Sequence, residues 1–130
     1  MAPKSTQTED VRLGDESMRI VKDAVTIDEL KQMATRMFGD MVKAVVDVER
    51  ELMAVDADLH ADLESALLSD GSQQPHLWGI NLYPELPDDQ FLEFDSMINL
   101  RPSQGNRSRG VEDETIRRRI AAVVKKNVVR

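Results

Sequence analysis

From residue 18 onward, apolar positions recur with helical spacing in some stretches and alternate in others, and the change of period marks out the elements. Ile27, Leu30, Ala34, Met37 and Phe38 form one helical stripe. Thr26 before it and Glu29 three residues on make a capping box, and Gly39 supplies the stop. A short strand is expected from Arg19 to Lys22. Val42, Ala44, Val46 and Val48 alternate with Lys43, Val45 and Asp47, as a half-buried strand does. Trp78, Ile80 and Leu82 alternate up to Pro84, and Leu92, Phe94, Ile98 and Leu100 follow after Pro87-Asp88-Asp89, which reads as an antiparallel hairpin. A last helix is expected from about Asp113 to Val128, with Ile116, Ile120, Val123, Val124 and Val128 inward. Its acidic residues sit at the start and its lysines at the end, as the helix dipole favours.

Residues 53–67 fit two periods at once. Their odd positions are mostly apolar, with Asp56, Asp58, His60, Asp62 and Glu64 between them, as on a strand with one wet face. Leu52, Val55, Leu59, Leu63 and Leu67 also lie at helical spacing, and Ala, Leu and Glu favour helix. A long helix through 52–69 is therefore the competing assignment.

The resulting expectation is an α+β fold. A mostly antiparallel sheet of four to five strands carries an N-terminal and a C-terminal helix packed on one face. Residues 1–17 are polar and without period, and read as a disordered tail before a single domain over 18–130. Cysteine is absent, which excludes disulfides and thiolate chemistry. No run approaches the roughly 18 apolar residues of a membrane span, and no secretory signal is evident, so a cytoplasmic protein without membrane contact is expected.

The net charge of −7 is unevenly spread: residues 40–95 carry two basic and fourteen acidic side chains, and residues 101–130 carry nine basic and three acidic. The two halves either bind outside partners or neutralise each other within the fold. Arg117, Arg118 and Arg119 fan around a helix instead of gathering on one face, so nucleic acid is not an expected partner.

The strings LWGINLYP (77–84) and FDSMINLRPSQGNRSR (94–109) resemble an uncharacterised family of small bacterial proteins, a domain of unknown function. The resemblance runs from about Met18 to the C-terminus and implies no activity. The family pattern has paired glycines where this chain has Asp56 and Ala57. Such a pair implies a hairpin turn, and with it a strand over 58–67.

On that strand reading, one sheet face would present Asp47, Asp58, His60, Asp62, Glu64, Asn81, Glu93, Asp95 and Asn99. Crowded carboxylates share cations or protons. Asp58, His60 and Asp62 are the candidate metal ligands, with a divalent ion the one cofactor such a set would suit. His60, Asp62, Asp47 and Asp95 are the candidate catalytic groups. A solvated or subunit-covered face is the plain structural alternative.

The loop 101–109 carries a second constellation. Arg101, Ser103, Gln104, Asn106, Arg107 and Arg109 surround Gly105, and guanidiniums grip phosphate or carboxylate bidentately. Pairing of these arginines with the acidic half of the chain is the alternative. Function is unknown from sequence. The expectation is a small binding or assembly module with an anion-attracting loop, a small anionic ligand and a homo-oligomer being its possible partners. The competing expectation is a small metal-assisted enzyme acting on a phosphorylated or carboxylated metabolite.

Overall fold

In the computed structural model of the chain, residues 11–12 and 18–130 are described. Strands β1 (Val11–Arg12), β2 (Arg19–Val21) and β3 (Val25–Thr26) lead into helix α1 (Ile27–Met37). Then come β4 (Val42–Asp47), β5 (Leu52–Val55), α2 (His60–Ser69), β6 (Leu77–Leu82), β7 (Leu92–Glu93), α3 (Glu114–Asn127) and β8 (Val128–Val129). The main sheet is antiparallel throughout, in the order β1-β2-β5-β4-β6-β7, and β3 pairs with β8 in a separate parallel ribbon. Helices and an antiparallel sheet make the protein α+β. The expected tail falls mainly on residues outside those described; Val11 and Arg12 pair with Ile20 and Arg19.

Local chemistry accounts for the element ends. Thr26 accepts from Glu29 N at 3.0 Å while Glu29 Oε1 accepts from Thr26 N at 2.9 Å, closing the capping box of α1. Asp113 caps α3, its carboxylate accepting from Thr115 N at 2.8 Å. Asp47 closes the turn between β4 and β5, its Oδ1 accepting from Glu49 N at 2.8 Å and Arg50 N at 2.9 Å.

The sheet is covered on both faces. On one, Ala44, Val46, Trp78 and Ile80 pack with Leu30 and Met33 of α1 and Ile120 and Val123 of α3. On the other, Ile20, Val45, Ala54 and Leu77 pack with Leu63 and Leu67 of α2. That second layer corrects the strand expected over 58–67. The buried residues of α2 are His60, Leu63, Ala66 and Leu67, a helical set, while Asp58 and Asp62 are exposed. The apolar second face of β4 and β5 needs a cover, and a helix provides one from the same sequence that alternates on paper. Among the described residues, the expected carboxylate-lined sheet face is not formed. Asp56 has φ 75°, so the chain turns there in the left-handed region, and a helix follows it.

The strand expected over 92–100 is also corrected, to two residues. After Phe94 the chain turns across β6: Ser96 caps a short 3-10 turn, accepting from Ile98 N at 3.2 Å, and lies on Gly79. A Cβ on Gly79 would stand 2.4 Å from Ser96 Cβ, so only glycine admits this crossing.

Candidate functional site

Where α2 begins, it leaves the edge of the second sheet face open. There Lys43, Asn81 and Glu93 stand in register across β4, β6 and β7. The opening is a cleft of about 470 Å³ with His60, Asn81, Tyr83, Glu93, Asp95 and Arg109 among its polar lining. Its lips are apolar: Leu59 is 54% exposed and Met97 62%, the two most exposed of the large hydrophobic residues among those described.

The polar groups are interlocked. Asn81 Nδ2 donates to Glu93 Oε1 at 2.9 Å and to Asp95 O at 3.4 Å. Tyr83 Oη donates to the same Glu93 oxygen at 2.9 Å. Burial, and then the Glu93 carboxylate, push the Tyr83 hydroxyl up to about 12, so it remains a donor at neutral pH. Arg109 Nε donates to Asp95 Oδ1 at 2.7 Å. His60 Nε2 donates to Ile80 O at 2.8 Å. Burial holds the ring below the ordinary histidine range, with Lys43 adding to the effect; the Ile80 carbonyl, Asp95 and Asn81 pull the other way. The ring is therefore neutral at pH 7, with Nδ1 as an acceptor.

Among the described residues two buried side-chain atoms lack any hydrogen-bond partner, Asn81 Oδ1 and Asp47 Oδ2. The first belongs to the cleft. The second sits under the β4–β5 turn. A larger groove of about 540 Å³ runs between Phe91 and α3, but beyond the Asp88–Arg130 ion pair and Lys125 its walls are apolar and no polar groups converge in it. We take the smaller cleft as the site because convergent polar groups on an apolar-lipped hollow are what binding requires.

The six residues of the expected anion loop do not come together. Arg101 is 6% exposed; its guanidinium lies 4.4 Å over the Trp78 ring and donates to the carbonyls of Ile98, Gln74 and Leu77. Asn106 is buried, donating to the carbonyls of Asn99, Ser108 and Gly110 and accepting from Glu112 N. Ser103, Gln104 and Arg107 are exposed and scattered around the turn at Gly105. Arg109 alone reaches the cleft.

Of the catalytic candidates, His60 and Asp95 share the cleft, Asp47 belongs to the turn and Asp62 faces solvent. Asp58, His60 and Asp62 do not converge, and no group of three or more His, Cys, Asp or Glu able to hold a metal ion occurs among the described residues. The arginine triplet of α3 is dispersed: Arg117 lies over Phe94, Arg118 pairs with Glu114, and Arg119 donates to Val48 O. No helix among the described residues is long and apolar enough to cross a membrane. Sequence reasoning places Asn81 with His60, Glu93 and Asp95 on one polar face without giving Asn81 a role, and it does not single out Lys43 or Tyr83 as site residues.

Residues 19–127 match a family described as a protein of unknown function, DUF5674, and the chain belongs to it. No curated protein and no solved structure matches the chain.

Proposed function

We propose that the protein is a small-molecule binding module, cytoplasmic, whose site is the cleft between the start of α2 and the β6–β7 edge. The observation that carries this reading is the His60 ring. It lines the cleft, fixed through Nε2 to Ile80 O and set beside the Asn81 side chain that hydrogen-bonds to it. Apolar lips at Leu59 and Met97 and a polar floor fit a ligand with one face of each kind. Arg109 is the residue of the anion loop that takes part.

The test is a thermal-shift screen of small polar metabolites against the whole chain, repeated on Leu59→Asp/Met97→Asp. Both positions are exposed, so the variant keeps the fold. Compounds that raise the melting temperature of the parent should lose their effect on the variant. Hits that persist undiminished would place binding elsewhere and overturn the reading.

A second reading is an enzyme using the same cleft, with His60 Nδ1 as general base. A neutral, oriented imidazole favours it. Turnover of a bound hit, lost in His60→Gln with binding retained, would distinguish it from a binding module.

A further inference from the structure

The charges that line the cleft are not all spent on one another. Arg109 Nε is bound to Asp95 Oδ1 at 2.7 Å, which leaves Lys43 and Glu93. Glu93 accepts from two neutral donors, Asn81 Nδ2 and Tyr83 Oη, both through Oε1. Lys43 lies 5.1 Å over the Phe38 ring, and among the described residues neither it nor Glu93 has an ion-pair partner. The sheet explains why the two do not meet. Lys43 on β4, Asn81 on β6 and Glu93 on β7 stand in one row. The two charges therefore start from strands two spacings apart, about 9 to 10 Å. Between them Asn81 is committed to Glu93 and to His60. A cation and an anion on opposite sides of a hollow set a field across it. A ligand that carries both charges in the reverse order matches that field, whereas a single ion meets a like charge on one side.

Resting on the cleft reading above, we infer that the site takes a small zwitterion with an apolar substituent, the chemistry of a free α-amino acid. Its carboxylate accepts from Lys43 Nζ, its ammonium donates to the Glu93 carboxylate, and its side chain lies against Leu59 and Met97. Both polar contacts are charge-assisted, the stronger kind of hydrogen bond. Glu93 is set in place for its share: Asn81 and Tyr83 hold Oε1, and Oε2 is left for the ammonium. The exposed lips Leu59 and Met97 supply the apolar surface that a bare zwitterion would not need. A carboxylate without an ammonium gains Lys43 and meets Glu93 as a like charge. An amine without a carboxylate gains Glu93 and meets Lys43.

The experiment titrates the isotope-labelled full chain at neutral pH with four probes while NMR follows the His60 ring and the Asn81 side-chain amide. The probes are leucine, isocaproate, which lacks the ammonium, isoamylamine, which lacks the carboxylate, and uncharged glycerol. Leucine should shift both resonances, and each single-charge analogue should bind about tenfold more weakly or less, having lost one charge-assisted contact. Lys43→Met and Glu93→Gln should each weaken leucine by a similar factor. Glutamine keeps an oxygen to accept from Asn81 and Tyr83, and an unchanged melting temperature checks that each variant is folded. Isoamylamine should bind Lys43→Met better than the parent, and isocaproate should bind Glu93→Gln better, since each variant removes a like charge. Leucine bound no better than its analogues or glycerol, or indifferent to either substitution, would overturn the ligand class while leaving the cleft a binding site. No shift at the cleft with any probe would overturn the cleft reading together with it.

Discussion

Asn99 pairs with Gly79 as a strand would. Its Oδ1 accepts from Gly79 N at 2.8 Å and its Nδ2 donates to Gly79 O at 3.0 Å. The same Nδ2 also donates to Arg109 O at 2.8 Å. One side chain therefore satisfies the backbone of β6 where β7 has ended, and ties the 96–109 segment to the sheet. Gly79 lies in the string LWGINLYP and Asn99 in FDSMINLRPSQGNRSR, so the two strings meet at this contact.

Asn99→Ala should destabilise the protein by about 2 to 4 kcal/mol, because it leaves buried Gly79 groups unpaired. Gly79→Ala should cost about 1 to 3 kcal/mol by driving a Cβ into Ser96. Urea melts of both variants give the check, and wild-type stability in either would remove this account of the crossing.

Helix α2 over residues 60–69 has its own test. Leu63→Ala should cost about 2 to 5 kcal/mol, since Leu63 is fully buried. Leu59→Ala and Asp62→Ala should each stay within about 0.5 kcal/mol, both positions being exposed. Equal losses at 59 and 63 would fit a strand and contradict the helix.

The arginines of the 101–109 loop should separate sharply. Arg101→Ala removes donors to three carbonyls and a guanidinium stacked on Trp78, and should cost about 2 to 4 kcal/mol with a change in tryptophan emission. Arg107→Ala, at an exposed side chain, should stay within about 0.5 kcal/mol. A phosphate-dependent rise in melting temperature that Arg107→Ala abolishes would restore the loop as an anion site.

His60 should make stability fall in acid. Its folded pKa is lowered from 6.5 by burial, so below that value the unfolded chain binds a proton before the folded one does. Its contribution is whole above about pH 6.5. It is lost progressively down to the lower folded midpoint and is constant below it. Chemical denaturation of wild type and His60→Gln at a series of pH values should show this slope in the wild type alone; identical slopes would mean the ring is not held neutral.

Interactions that close within a few residues were legible in the sequence. Thr26 and Glu29 are three apart, and Asp113 caps the helix it precedes, so α1 and α3 could be drawn from the chain alone. The strand pattern of β4 and β6 was legible for the same reason. Residues 58–67 were not, because their apolar spacing satisfies both periods, and the deciding fact is that Ile20, Val45, Ala54 and Leu77 leave a second sheet face to be covered. Composition placed Arg101 and Asn106 in an anion loop; tertiary structure gave them backbone carbonyls 2 to 27 residues away as partners. The cleft is likewise a tertiary product. His60 meets Ile80 across 20 residues and Asn81 meets Glu93 across 12, and which of their hydrogen-bonding atoms remain unmatched is decided only when those segments pack.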